Sequence, residues 1–492
     1  MCIRDSFEDN PVFVDQLGRH HQWLASLGSH GSSANNHIIA EATGQFVAAT
    51  AFPLFRDSGA WQAAAADELA RELEAQTFPD GLNRELASDY HGLVLELGLV
   101  ALVEAVLVDH PVRSQLLDPI GRALDALHAV VDDTGQPPRQ GDSDDANGWL
   151  VDPIDYDRWG ALLRSAGLVV EPAPWWSDRW AAGAGGGDVR SGLVERCLAG
   201  RHRPTRPAGR SSERPGLFPD AGLSLLRAAA DPDRGLDELW CRFDHGPLGF
   251  LSTAAHGHAD ALAVEIRCGG VEVVADPGTY CYHGEPAWRD HFRSTRAHAT
   301  VTVGGRNQSE IAGPFLWGAR ADATLEAHQG LGGVGGSDTG LATVQASHDG
   351  YRELGLIHRR RVDLDRRRRS ITIVDRLDQA GEAEVEVDDR SVELVLPFGP
   401  AVSVDLDAEG TTAMLRWVGP DGEGGGRASV TLDPGLSWSL VEGVESPPAG
   451  WYSARFGTKV PAPSLLGRCS TAGPGAEYET IITFLPRPPR GS

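Results

Sequence analysis

The spacing of apolar residues changes near residue 205, and this change divides the chain into two parts. Before it, apolar positions recur at helical spacing in segments such as Trp61–Gln76, Leu93–Val108 and Val112–Val131. From Phe218 onward, short alternating segments are separated by Gly, Asp and Pro, which predicts antiparallel strands. We therefore expect a multidomain α+β protein, with a helical domain at 1–205 and an antiparallel β-sandwich at 206–492.

The helical part predicts hairpins of helices stacked around a common axis, because the helices are similar in length and their connections are short. One helix follows Ser32 and Ser33, either of which could cap it. On that helix His37 and Glu41 are four residues apart, so we expect Glu41 to orient the imidazole. A Gly- and Arg-rich stretch at about 178–215 predicts a linker.

The amino-acid composition limits the kinds of molecule that we expect the protein to bind. The chain has 492 residues and a formal net charge of −25, which argues against nucleic-acid binding. Its six cysteines form no CxxC pair, which indicates reduced thiols. We find no apolar run that suggests a membrane span and no signal peptide in Met1–Ser6. A truncated start would imply a periplasmic or secreted protein, and a complete one a cytoplasmic protein; homo-oligomer formation stays open.

A set of histidines and one aspartate predicts a metal site in the β domain. His256 and His258 alternate along an extended segment, Asp276 ends the hairpin that follows, and His298 comes further on. His258, Asp276 and His298 give the nitrogen and oxygen ligands that zinc accepts, with a fourth position open. His256 is left for an acid, base or charge-neutralising role.

Several motifs, in this order, resemble the heparinase II/III family of polysaccharide lyases, which includes heparinase-like and alginate lyases. The helical part carries Asn35-Asn36-His37, Asp80-Gly81 through Tyr90-His91, and Gly141–Asp145. The β part carries His256–Asp260, Asp276–Tyr280, Trp288-Arg289 and Phe292–His298. The resemblance covers about residues 30 to 380 and implies an (α/α) toroid, here with its early helices in doubt, followed by a large antiparallel β-sandwich.

The resemblance also implies an activity, the β-elimination of a glycosidic bond beside a uronic acid. It implies that Asn36 holds and neutralises the uronate carboxylate and that His37 acts as base or as second neutraliser. It also implies that Tyr90 is the general acid and could serve as the base, and that His256 helps to neutralise charge. It implies a mostly structural zinc on the three predicted ligands. An acidic sugar also needs cationic and hydrogen-bonding groups, for which the candidates are Arg84, Arg139, Tyr280, Arg289 and Arg293.

Two other functions remain open at this point. A metal-dependent hydrolase could use His256, His258 and Asp260, although its HxHxDH pattern needs a His where this chain has Ala261. A non-catalytic glycan-binding protein could keep the same fold. Alginate, heparan-type, hyaluronan-type and bacterial exopolysaccharides all fit as the acidic polysaccharide partner.

Overall fold

The computed structural model describes residues 7–153, 156–180, 188–201, 211–332, 340–381, 389–419 and 425–487. Met1–Ser6, which bear on the expected location, and much of the predicted linker lie outside these ranges. The chain forms two compact units. A helical unit comprises 1–85, 89–128 and 146–212, and a β unit comprises 86–88, 129–145 and 213–492. The β unit thus includes two segments from within the predicted helical domain, 86–88 and 129–145.

The described part of the helical unit contains helices of similar length, as the apolar spacing predicts. In chain order they are α1 (Pro11–Ser26), α2 (Asn36–Ala51), α3 (Ser58–Ala75), α4 (Ser88–Leu107), α5 (Arg113–Val130), α6 (Arg158–Val169) and α7 (Val189–Leu198).

Side-chain caps explain where several of these helices begin. The Asn10 side chain accepts hydrogen bonds from the backbone N–H groups of Val12 and Phe13, at 3.0 and 3.3 Å. Asn35 caps α2 in the same way, through the N–H of His37 at 3.3 Å. The predicted cap at Ser32 or Ser33 is therefore wrong, since both residues lie in a preceding 3₁₀ turn at Gly31–Ser33.

Helix α4 is apolar along its whole length. Among the helices of the described residues, α4 alone is long and apolar enough, by length and composition, to cross a membrane. No apolar run of that length was expected from the sequence. However, 72% of the tested window is buried inside the protein, where core-facing residues account for the apolar composition.

The β unit is antiparallel throughout its described strands, numbered here in chain order. A five-stranded sheet contains β1 (Leu217–Phe218), β2 (Leu223–Ala228), β3 (Leu239–Asp244), β4 (Val264–Cys268) and β5 (Val271–Val274). A four-stranded sheet contains β6 (Val301–Val303), β13 (Val392–Pro397), β17 (Ser437–Val441) and β22 (Ser464–Cys469). An eight-stranded sheet contains β9 (Ala323–Gln329), β10 (Leu341–His348), β11 (Leu356–Asp365), β12 (Ser370–Gln379), β14 (Val402–Leu406), β15 (Thr412–Val418), β16 (Gly425–Thr431) and β23 (Ala476–Leu485).

Three short hairpins and a helix complete the β unit. The hairpins are β7–β8 (Ile311–Gly313 and Leu316–Trp317), β18–β19 (Val444–Glu445 and Pro448–Ala449) and β20–β21 (Trp451–Arg455 and Thr458–Pro461). Helix α8 spans Pro286–Phe292.

One continuous apolar core joins the three large sheets of the β unit. Phe243 and Ile266 enter it from the five-stranded sheet, Val362 from the eight-stranded sheet and Leu394 from the four-stranded sheet. Along β11, buried residues alternate with more exposed ones, which is the pattern of a strand with one face on a core. This packing fixes the connections between strands, and those connections carry the candidate site.

Candidate active site

The three predicted metal ligands lie together in the β unit. Ligand atoms of His258, Asp276 and His298 are all within 4.8 Å of one another, and all three residues are buried. His258 Nδ1 lies 3.2 Å from His298 Nε2, and His298 Nε2 lies 3.7 Å from Asp276 Oδ2. This cluster could hold a metal ion.

His258 and His298 each use one ring nitrogen for a hydrogen bond to an acceptor. The other ring nitrogen of each residue, which faces the neighbouring histidine, therefore has its lone pair available. His298 Nδ1 lies 2.7 Å from the Ser294 carbonyl, which can only accept, so this nitrogen carries the hydrogen. His258 Nε2 donates to Asp142 Oδ1 at 3.1 Å. Burial lowers the pKa of His298 to about 4, while the charge of Asp276 acts in the opposite direction. Two lone pairs facing each other at this distance suit a bound cation.

Asp142 connects the metal cluster to His256. Its carboxylate is 1% exposed and accepts from His258 through Oδ1 and from His256 Nδ1 through Oδ2, the latter at 3.3 Å. Arg289 binds both oxygens, with Nη2 to Oδ2 at 2.7 Å. Burial alone would raise the pKa of this carboxyl, but the Arg289 charge and the bonds from both imidazoles hold it well below its usual range. Asp142 therefore stays charged and fixes both imidazoles.

The sequence Gly141–Asp145 was recognised as a motif, but nothing local predicted a buried role for Asp142. Asp144 and Asp145 follow it in an acidic run typical of a solvated loop, and both are more exposed. The distinguishing contact is the backbone bond from Asp142 N to His256 O, at 2.9 Å. It joins residues 114 positions apart, so sequence spacing could not indicate it.

The loop between β3 and β4 carries His256 and His258. The residues are not on a strand, yet their side chains converge on one carboxylate. Gly257 between them is required by space, because a Cβ there would overlap the Leu248 carbonyl oxygen. The second half of the loop, which carries Gly257, can therefore pack against its first half, which carries Leu248.

Arg242 on β3 balances the carboxylates around the cluster. Its guanidinium pairs with Asp244 and lies 3.6 Å from Asp260 and 3.9 Å from Asp276. Asp260 is absent from the metal-binding group found among the described residues. Burial, with the added charge of Asp244, raises the pKa of Asp260 well above its usual range.

The predicted sugar-binding arginines of the β unit make protein contacts in this conformation. Arg289 and Arg293 are 1% and 0% exposed, and both donate to the Pro314 carbonyl, with bonds of 2.8 to 3.0 Å. Arg139 donates to the Ser453 carbonyl and stacks on the Tyr452 ring. Arg289 and Arg293 are buried and Arg139 is 24% exposed, and the contacts of all three hold the site in shape. Direct binding of a sugar by these arginines stays a prediction.

Two aromatic side chains pack beside His256, and this contact was not predicted from the sequence. Ring centroids of Tyr282 and Phe315 lie 6.3 and 6.1 Å from the His256 ring and 5.0 Å from each other. Arg289 lies over both rings, at 5.0 and 5.4 Å. These rings give the imidazole an apolar side that limits access of water.

The helical unit holds Asn36 by its side chain. Asn36 Nδ2 lies 3.1 and 3.0 Å from the two carboxylate oxygens of Glu85, and both residues are buried. His37, next along α2, is exposed. Glu41 does not orient it as predicted: its two oxygens instead accept from the Ser29 N–H and hydroxyl, at 2.8 and 2.6 Å.

Tyr90 lies in the first turn of α4 and is 5% exposed. The adjacent His91 has a structural role, since its Nδ1 accepts from Asn83 N and its Nε2 meets the Ala123 carbonyl. Burial lowers the pKa of His91 to about 4, so the ring is neutral. Arg84, in the same unit, stacks on Phe78 at 4.5 Å.

Comparison with known families gives two matches. The family described as "Heparinase II/III-like, C-terminal" matches residues 210–484, and "Heparinase II/III N-terminus" matches residues 7–147. Two curated relatives are named heparin-sulfate lyase. The one from Pedobacter heparinus is 22% identical over 321 residues, covering 61% of this chain and 41% of the relative. The one from Bacteroides thetaiotaomicron is 24% identical over 295 residues, covering 58% of this chain and 39% of the relative.

Solved structures show the same fold. A crystal structure of heparinase III superposes with a TM-score of 0.67 at 16% identity, covering 96% of this chain and 65% of that one. The heparan sulfate lyase from Pedobacter heparinus gives 0.60 at 18% identity, covering 97% and 65%. The chain thus spans less than half the length of its curated relatives and about two thirds of these structures. The predicted fold class, an (α/α) toroid followed by an antiparallel β-sandwich, is confirmed.

Proposed function

Because the chain belongs to the heparinase II/III family, we propose that it is a polysaccharide lyase that cleaves a uronic-acid polysaccharide by β-elimination. The observation that carries the proposal is the setting of His256. Its Nδ1 binds the Asp142 carboxylate, which keeps the basic lone pair of the neutral ring on Nε2. An imidazole oriented in this way can donate to an anion once protonated, or accept a proton when neutral.

The chemistry requires three kinds of group. The proton removed from C5 is weakly acidic, so the neighbouring carboxylate must be neutralised to make the enolate-like state accessible. A base must take that proton, and an acid must protonate the departing O4. The C4–O4 bond breaks as the C4–C5 double bond forms, so no water is consumed and the product carries an unsaturated uronate.

We assign these roles residue by residue, following the family motifs. The amide of Asn36, which Glu85 holds in place, neutralises the uronate carboxylate, and His256 helps to neutralise charge. His37 is the second neutraliser or the base. Tyr90 protonates O4, and it can also act as base if a nearby cation stabilises the phenolate.

The metal cluster fits zinc in donor type and spacing. Tetrahedral zinc with Zn–N bonds of 2.0–2.1 Å places two nitrogens roughly 3.3 Å apart. His258 Nδ1 and His298 Nε2 are 3.2 Å apart, each with its other nitrogen bound to an acceptor. When bound, zinc would supply a fixed positive charge that joins three chain segments, and its role is structural. His258, Asp276 and His298 would hold it.

The structure does not favour the metal-dependent hydrolase, because one of its three expected residues lies away from the candidate metal ligands. It needed Asp260 beside His258 at the metal, but Asp260 lies against Arg242 and Asp244. A glycan-binding protein without activity remains the competing proposal, since Tyr90 is only 5% exposed. Product formation that depends on Tyr90 separates it from a lyase.

For the substrate, we propose a glycosaminoglycan of the heparan type, because both curated relatives are named heparin-sulfate lyase. Alginate and hyaluronan belong in the same panel. The test is digestion in water enriched with ¹⁸O, followed by mass spectrometry of the products. A lyase gives an unsaturated end without ¹⁸O, whereas a hydrolase incorporates one ¹⁸O per cleavage.

A further inference from the structure

Three aromatic rings surround one ammonium group at the surface of the β unit. Lys459 Nζ lies 4.1 Å from the centroid of Tyr280, 4.3 Å from Trp288 and 5.6 Å from Trp451. The Trp288 and Trp451 rings meet edge to face at 5.2 Å. All four residues are half-buried, so part of each remains accessible to solvent. We call these four residues the Lys459 cluster.

Lys459 is the chain's only lysine among 44 basic residues. Arginine does the stacking elsewhere in the β unit, for example over Trp317 at 4.5 Å and over Tyr452 at 4.8 Å. Because arginine stacks on rings at least as well as lysine, stacking alone does not explain the exception. Lysine differs in its compact ammonium with three donors on a flexible stem, which suits a point contact with an anionic oxygen.

The ammonium has no fixed counter-ion in the described ranges of the chain. Lys459 forms no ion pair there with a carboxylate. The nearby Glu285 instead accepts the hydroxyl hydrogen of Tyr280. In a chain with a net charge of −25, an acidic ligand is repelled overall and needs a local cation of this kind.

Backbone hydrogen bonds mount the cluster on the segment that follows the metal ligand Asp276. The β20–β21 hairpin, which carries Trp451 and Lys459, donates from Ser453 N to Pro277 O at 2.8 Å and from Gly457 N to Tyr280 O at 2.6 Å. Tyr280 itself has a φ of +66°, a left-handed conformation rare for a non-glycine residue.

We propose that the Lys459 cluster is a binding subsite for an acidic sugar residue of the polysaccharide. A ring of Trp288 or Trp451 takes the C–H face of the pyranose, and the Lys459 ammonium binds its carboxylate or sulfate group. The inference rests on the proposed function and deepens it, because it places one acidic sugar on the β unit, beside the segment that carries Asp276.

The test is a calorimetric binding titration of the full chain carrying Tyr90→Phe. This variant is used so that the polymer is not cleaved during the measurement. The probes are heparan sulfate, its unsulfated backbone polymer and neutral dextran. Lys459→Met should weaken binding of the acidic polymers roughly tenfold, the worth of one charged hydrogen bond, and leave dextran unchanged. Lys459→Arg keeps the charge and should recover part of the loss. Arg416→Met, which removes a 60% exposed charge elsewhere in the β unit, is the matched control.

The outcomes separate the subsite from the activity. A loss on both acidic polymers identifies the carboxylate as the group bound, and a loss on heparan sulfate alone identifies sulfate. If Lys459→Met binds as the Tyr90→Phe chain does, or only melts at a lower temperature, the cluster is a structural clamp and the inference is wrong, while elimination by the chain with Tyr90 and Lys459 both present is unaffected. Failure of the Tyr90→Phe chain to bind either acidic polymer overturns the inference too. Lysine-dependent binding without cleavage would keep the subsite and refute the lyase.

Discussion

Replacement of Asp142 by asparagine tests how the site is held together. The carboxylate accepts from His256, His258 and Arg289, and it is 1% exposed. An amide offers one acceptor oxygen and turns an NH₂ group toward donors, so it cannot serve all three partners. The Arg289 guanidinium, itself 1% exposed, would then lack its carboxylate.

The expected cost follows from that burial. Removing one partner of a buried ion pair destabilises a protein by about 3–5 kcal/mol, so Asp142→Asn should lower the free energy of unfolding by that amount. Loss of the bond to His258 Nε2 should also weaken zinc binding, by roughly 10- to 100-fold, because the imidazole is no longer held in its ligating tautomer.

Two measurements check this prediction: urea unfolding of the metal-free protein, and competition for zinc against a chelator of known affinity. Asp290→Asn is the matched control. Its side chain is 53% exposed and 4.0 Å from Arg293, so we expect a change within about 1 kcal/mol. If Asp142→Asn unfolds like the control and keeps the parent's zinc affinity, Asp142 does not organise the site.

Three further predictions concern stability and the metal. Burial would raise the pKa of Asp375, but Arg360 and His358 lower it to about 2 from 3.8, so this carboxylate contributes about 2 kcal/mol above pH 4 that is lost as the pH falls toward 2. Acid unfolding of Asp375→Asn should show a shallower loss over that window, and an identical profile would contradict the assignment. Gly278→Ala should cost about 2–5 kcal/mol in thermal unfolding, because φ is +80° and the new Cβ would overlap the Ser453 carbonyl. Gly305→Ala, at +62° with open space around it, should cost only about 1–2 kcal/mol, and equal costs would refute the packing argument. Chelation of the metal should lower the melting temperature first and spare elimination in protein that is still folded, whereas immediate loss of activity would indicate a catalytic metal.

Several strands that pack on the core could be predicted from the sequence. β2, β14 and β15 lie within the part of the chain where the spacing from Phe218 onward predicts strands. β15 alternates buried and exposed residues, the signal that sequence pattern detects. In the short strands β17 to β21 most residues are exposed or half-buried, so no apolar alternation marks their bounds in the sequence.

The grouping of His258, Asp276 and His298 could be predicted because His258 precedes a hairpin that ends at Asp276 and His298 follows in the next segment. The residues that hold the site in place could not be predicted, since their contacts depend on which distant segments of the chain meet. Asp142 looked like part of a solvated acidic run, and Glu41 was paired with His37 from helical spacing although Ser29 takes both of its oxygens. The burial of Arg289 and Arg293 could not be predicted, because an exposed arginine and a buried one look alike in sequence.

The most direct test of the central claim is the ultraviolet absorbance of the unsaturated uronate product. Folded, zinc-loaded protein and its Tyr90→Phe variant are incubated with heparan sulfate, hyaluronan and alginate, after equal melting temperatures have shown that both are folded. The account predicts a rise in absorbance with the parent on at least one polymer and its loss in the variant. No rise on any of these polymers, or an equal rise with Tyr90→Phe, would contradict it.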